Sequence, residues 1–95
     1  MTLDEFRTTL SAAAPPPGLA PLLRALWHDA RGDWEAAHRI AQDIDDASGA
    51  WVHAYLHRKE GDLGNAAYWY WRARKPESGA SLDDEWAEIV EQLLA

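Results

Sequence analysis

The chain has 95 residues, which is room for one domain, and it carries a formal net charge of −7 at pH 7. This acidic balance argues against DNA or RNA as the main partner, because nucleic-acid binding depends on a basic surface that neutralises phosphates. Cysteine is absent, which excludes disulfides and thiol chemistry, and there is neither a run of roughly 20 apolar residues nor a signal-peptide pattern, so we expect a cytoplasmic protein with no membrane partner.

The first predicted element is a short N-terminal helix. Thr2 and Glu5 stand at the spacing of a capping box, and Phe6 and Leu10 mark one apolar face. The prolines at 15–17 end this helix, because proline lacks the backbone N–H donor and restricts the residue before it.

Two predicted helical hairpins follow, and they are imperfect copies of each other. The Gly-Asp pair at 32–33 recurs at 61–62, an offset of 29 residues (61 − 32). Glycine tolerates the left-handed conformation that ends a helix, and aspartate can accept hydrogen bonds from the free N–H groups that begin the next. The sequence therefore predicts tight turns at both pairs. The positions shared by the copies are Ala25 and Ala54, His28 and His57, Gly32 and Gly61, Asp33 and Asp62, and Ala37 and Ala66.

Two helices complete the predicted fold. Counting the four hairpin helices without the N-terminal one, the third helix, about Ala50 to Lys59, is apolar on more than one side, which places it at the centre. The last helix begins after Ser81, and its apolar stripe includes Trp86. Because two hairpins leave an open side at each end, we expect this helix to cover the exposed side of the fourth helix. The prediction is all-α: two hairpins over about 19–76, flanked by an N-terminal and a C-terminal helix in a single domain, 1–95.

The second hairpin resembles a tetratricopeptide repeat. The residues that carry the likeness, at that family's spacing, are Gly61, Asp62, Leu63, Ala66, Tyr70 and Ala73, together with the small residue Ala54. The resemblance covers about residues 19–76 and departs from the family in two respects. The period of 29 residues (61 − 32) is shorter than the usual value of about 34, and Trp51 sits one position beyond the family's usual tryptophan.

That resemblance implies a concave peptide-binding groove lined by the first helix of each hairpin. The best-aligned register gives this role to Trp51, Tyr55, Arg58 and Lys59, with Leu22, Leu26 and Asp29 beside them. A register one residue later nominates Val52 and Leu56 instead. The resemblance thus implies an interaction module whose partner is a protein, a peptide or a second copy of the chain.

Residues 68–71 form a run of four aromatic rings on the fourth helix. Successive helical residues point about 100° apart, so the four rings sample all sides of the helix and at least one stays partly exposed. Exposed aromatics beside arginine are typical of interaction hot spots, which makes Trp69 and Trp71 candidate binding residues. The alternative interpretation is that the six tryptophans simply stabilise a small core.

Histidines suggest an alternative function, a small-molecule or metal site built on His28, His53 and His57. His53 and His57 lie four apart on one helix face, a spacing that can share a zinc ion. No third ligand is spaced to close a site, so we expect no metal and no cofactor. A closed polar pocket holding all three histidines would favour the alternative, whereas dispersed histidines would remove it. No nucleophile elbow, phosphate loop or acid–base motif is present, and the sequence predicts a binding protein, not an enzyme.

Overall fold

The computed structural model describes residues 1–95 as six α-helices without a strand, which confirms the predicted all-α class. The helices are α1 Leu3–Thr9, α2 Pro21–Ala30, α3 Trp34–Gln42, α4 Ala47–Lys59, α5 Leu63–Ala73 and α6 Leu82–Leu94. None of them combines the length and the apolar character that a membrane crossing requires. Twenty buried apolar residues form one connected core.

Both predicted hairpin turns are confirmed. Gly32 and Gly61 take positive φ angles of 83° and 88°, which residues with a side chain rarely adopt. Asp33 and Asp62 each accept a hydrogen bond from the backbone N–H three residues on, at 3.1 and 3.2 Å. These turns let α2 pack on α3 and α5 pack on α4.

The helix α4 begins at Ala47, earlier than the predicted start near Ala50. Asp46 is its N-cap and accepts the backbone N–H of Gly49 at 2.7 Å, so this aspartate starts a helix instead of ending the turn. The chain doubles back tightly here, since a Cβ on Gly49 would lie 2.1 Å from the carbonyl oxygen of Ile44.

As its apolar pattern predicted, α4 is the central helix. Residues 49–57 are all buried, and α4 packs against α2, α3, α5 and α6. The second helix of the first hairpin, α3, is therefore covered by the first helix of the second hairpin, α4.

The position predicted for α6 is wrong. This helix packs against α1, α2 and α4, and it meets α5 through side-chain hydrogen bonds without close helix packing. Its Trp86 donates a hydrogen bond from Nε1 to the carbonyl oxygen of Leu26 at 3.1 Å, and Phe6 of α1 is fully buried beside the Trp86 ring. The connection 74–81 carries the chain across to the inner side of the hairpins, where the apolar stripe of α6 meets α2 and α4. As a result, the outer side of α5 stays open.

Candidate functional site

The residues predicted to line a groove lie beneath α6. In the preferred register Leu22, Leu26, Trp51 and Tyr55 are buried. The alternative register does not give an accessible groove either, because the side chains of residues 52 and 56 are fully buried. The inner surface of α2 and α4 is therefore filled by the chain's own last helix, and binding of a partner by these side chains stays a prediction.

Glu85 of α6 holds the centre of this buried surface, although its sequence context did not single it out. Its carboxylate is 1% exposed. It accepts hydrogen bonds from the Tyr70 hydroxyl at 2.6 and 2.7 Å, from Arg58 Nη1 at 2.9 Å and from Trp51 Nε1 at 3.3 Å. Burial and the hydrogen bond to Glu85 raise the pKa of Tyr70, which keeps this hydroxyl protonated as a donor. Arg58 also donates to the carbonyl oxygen of Ala80, just before α6.

A second buried carboxylate, Asp29 of α2, ties the two hairpins together. It accepts hydrogen bonds from the Tyr55 hydroxyl and from Lys59 Nζ, both at 3.0 Å. Burial and the neighbouring Asp29 raise the pKa of Tyr55. The two predicted groove cations, Arg58 and Lys59, are thus each paired with a buried carboxylate, although the Lys59 side chain itself is 37% exposed. No buried side-chain nitrogen or oxygen lacks a hydrogen-bond partner.

The aromatic run on α5 divides between core and surface. Tyr70 is buried and Trp69 is partly buried, whereas Tyr68 is 48% and Trp71 73% exposed. Leu63 is also exposed, at 64%, on the first turn of the same helix. We call Leu63, Ala67, Tyr68 and Trp71 the α5 outer face. The prediction that at least one ring of the run stays exposed is confirmed.

Three imidazoles meet where α3 packs on α4. His38 of α3 and His53 and His57 of α4 each offer one ring nitrogen, and these nitrogens all lie within 4.8 Å of one another. The Nε2 atoms of His38 and His53 are 2.9 Å apart. The ring of Trp34 stacks on His38 with centroids 4.8 Å apart, and the ring of Trp69 stacks on His53 at 3.9 Å. We call the three histidines the histidine cluster.

Neighbouring side chains orient the ring of His57. Its Nδ1 lies 2.6 Å from Glu60 Oε1, and its Nε2 lies 3.3 Å from the amide nitrogen of Asn65. Because an amide nitrogen only donates, the contact with Asn65 requires an unprotonated Nε2. In the neutral imidazole this contact places the proton on Nδ1, which donates it to Glu60.

Burial keeps two members of the cluster, His38 and His53, uncharged at neutral pH. Burial, together with repulsion from the nearby His38 and His57, lowers the pKa of His53 to about 4. Burial and then His57 also lower the pKa of His38, against the opposing effect of Glu60 and Glu35. At pH 7 His38 and His53 are consequently neutral, and each keeps a lone pair for a hydrogen bond or a metal ion.

His28, the histidine that the repeat pattern paired with His57, is not part of this cluster. It lies beside Trp27 and lines an open cleft with Arg24 and Arg39. The expected set of His28, His53 and His57 is therefore not formed, and the expectation that no third ligand is available is corrected by a residue on α3.

The sequence did not single out His38, because it has no histidine counterpart in the second hairpin. The equivalent position (38 + 29 = 67) is Ala67. One signal was available. Trp34 and His38 lie four apart and share a face of α3, and Trp34 Nε1 donates to the carbonyl oxygen of Leu56 on α4 at 2.8 Å. That face packs on α4 and brings His38 to His53.

Comparison with known proteins yields no match to a protein-family model, to a curated protein or to a solved structure. The resemblance to tetratricopeptide repeats accordingly stays an interpretation of the hairpin pattern.

Proposed function

We propose that this chain is a protein-interaction module that docks a helical segment of a partner protein on the α5 outer face. The observation that carries the proposal is the exposure of Leu63, Tyr68 and Trp71 together on one side of α5 against which no other helix packs. Single exposed apolar side chains are ordinary on protein surfaces, but a group that includes a tryptophan and a tyrosine is typical of binding hot spots.

The packing within the chain suggests that the partner segment is a helix. In the first hairpin α3 is covered by α4, whereas α5 holds the equivalent position in the second hairpin and has no helix against its outer side. A partner helix placed there repeats the contact between α3 and α4. Gly64 and Ala67 lie between the large side chains, and their small size permits close approach of a second backbone.

Charge favours an acidic partner helix. Arg72, Arg74 and Lys75 follow one another at the carboxyl end of α5. Arg72 is paired with Asp45, but Arg74 and Lys75 take no part in an ion pair within the chain. On a protein with a net charge of −7 these cations are a local exception, and they select a helix that combines acidic and apolar residues.

Comparing Trp71→Ser with wild-type protein tests this function. Both are immobilised, partners are captured from native lysate, and a captured protein is then titrated in purified form. We expect Trp71→Ser to weaken binding by about 30-fold or more, the effect of losing a hot-spot residue worth roughly 2 kcal/mol. The matched control is Gln92→Ser, an exposed change on α6 that should leave binding intact.

Sedimentation velocity of the pure chain separates the two kinds of protein partner. A dimer that dissociates in Trp71→Ser would identify the partner as a second copy bound through α5. Equal binding of a purified partner by wild type and Trp71→Ser, or a chain that stays monomeric and retains no partner, would refute the proposal.

A further inference from the structure

We propose that the histidine cluster is a binding site for one divalent transition-metal ion of the zinc type. It lies between α3 and α4 and does not depend on docking at the α5 outer face. One nitrogen from each of His38, His53 and His57 is available within 4.8 Å of the others. Side chains from two helices therefore converge on one point, as the ligands of a metal ion do.

The ligand spacing is close to that of a metal shell. With zinc–nitrogen distances of about 2.0–2.1 Å, two ligands of a tetrahedral ion lie about 3.3–3.4 Å apart. The Nε2 atoms of His38 and His53 are 2.9 Å apart, about 0.4 Å short of that value. No pair of the three nitrogens exceeds it by more than about 1.5 Å, given their limit of 4.8 Å. The ion would replace the hydrogen bond between the Nε2 atoms of His38 and His53, and the ring that donates it would carry its proton on Nδ1 instead.

The orientation of His57 is that of a metal ligand with a carboxylate behind it. Its Nδ1 donates to Glu60 at 2.6 Å, which fixes the tautomer and leaves the lone pair on Nε2. Such carboxylate–histidine pairs commonly orient the imidazole ligands of zinc and increase their basicity. The amide of Asn65 donates a hydrogen bond to that lone pair over 3.3 Å, and a metal ion would replace this donor.

The surroundings define the kind of ion and its access. Trp34 and Trp69 stack on two of the rings and shield them from water. An all-nitrogen ligand set suits zinc, copper or nickel and disfavours magnesium and calcium, which prefer oxygen. His38 is the least buried member, so an ion enters on its side. Three protein ligands leave one coordination position for water or an external ligand.

Titration of the metal-free chain with zinc chloride, by calorimetry and by competition with a chromophoric chelator, tests the site. We expect one ion per chain with micromolar or tighter affinity. His38→Gln should lower the affinity by at least tenfold, since it removes a ligand, and Glu60→Gln should lower it by about 10–100-fold at unchanged stoichiometry. The matched control is His28→Gln, which changes a histidine outside the cluster and should bind zinc like wild type.

A measurement on the wild-type chain makes the result independent of variant folding. Electron paramagnetic resonance of the copper(II)-loaded protein should show coupling to several imidazole nitrogens. Absence of zinc binding in the submillimolar range, a folded His38→Gln that binds as tightly as wild type, or a copper spectrum with oxygen ligands only would each overturn the proposal. Trp71→Ser should keep full metal affinity, so failure of the docking proposal and failure of this one are distinguishable.

Discussion

Replacing Glu85 with alanine tests how α6 is held in place. The carboxylate accepts hydrogen bonds from Tyr70, Arg58 and Trp51. Its removal leaves Tyr70 and Trp51 without an acceptor, whereas Arg58 keeps its hydrogen bond to the backbone just before α6. Tyr70 and Trp51 are buried, so water cannot replace the lost oxygen atoms without opening the fold. The side chain of Arg58 is 18% exposed, so its guanidinium can turn partly towards solvent.

The expected loss in the free energy of unfolding is about 3–5 kcal/mol, the range for removing one partner of a buried charged pair. A separate count agrees, since two buried neutral donors left unpaired cost about 1–3 kcal/mol each. A domain of 95 residues has about 5–14 kcal/mol of stability in all. With a urea slope of about 1.5 kcal/mol per molar, the unfolding midpoint should fall by about 2–3 M.

Urea unfolding followed by circular dichroism measures this change. Glu88→Ala is the matched control, because it makes the same substitution at an exposed position on the same helix and should shift stability by less than about 0.5 kcal/mol. Glu85→Gln keeps the shape and one acceptor, so its midpoint should lie between the two. If Glu85→Ala and Glu88→Ala unfolded at the same urea concentration, the buried carboxylate would not be what holds α6.

Two further predictions concern backbone packing and pH. Gly49→Ala should lower the melting temperature and cost about 1–3 kcal/mol or more, because the new Cβ would lie 2.1 Å from the Ile44 carbonyl oxygen. Gly64→Ala, in the first turn of α5, meets no atom within 4 Å and should instead gain about 0.4–1 kcal/mol, because alanine restricts the unfolded chain more than glycine does. Equal shifts in the two melts would contradict the close approach at Gly49. In chelator-containing buffer the free energy of unfolding should fall as the pH is lowered from about 6.5 to about 4. The pKa of His53 is about 4 in the folded chain and 6.5 in the absence of the fold. Between these values the unfolded chain binds a proton that the folded chain does not bind, which favours unfolding. Urea titrations across that range should show a smaller fall in His53→Gln; the same pH profile in both proteins would contradict the assignment.

Local patterns were sufficient to predict the helices and their turns. The positive φ of Gly32 and Gly61 and the caps at Asp33 and Asp62 depend on residues within a few positions of each turn, so they are visible in the sequence. The place of α6 was not predictable in this way. An apolar stripe around Trp86 shows that one helix face is buried, but it does not say which helices bury it, and the connection 74–81 permits more than one answer.

The candidate sites could not be predicted from the sequence, because they depend on which helix faces meet in three dimensions. The spacing of His53 and His57 was apparent, but His38 joins them only because particular faces of α3 and α4 meet. Glu85 follows two other acidic residues in the first turn of α6, so its sequence context is that of a solvated helix start. Which of the three acids points inward is decided by packing against α4, and residue type carries no information about it.

The position of α6 also determines how the inner surface of α2 and α4 responds to other molecules. Because residues 74–81 tether α6 directly to α5, the helix is present beside that surface at an effective concentration in the millimolar range. A free helix at micromolar concentration is outnumbered there by roughly a thousandfold. Such a competitor displaces α6 only if its own affinity exceeds that of α6 by a similar factor. The tether therefore makes this surface selective against weak binders, whereas the outer side of α5 has no internal competitor.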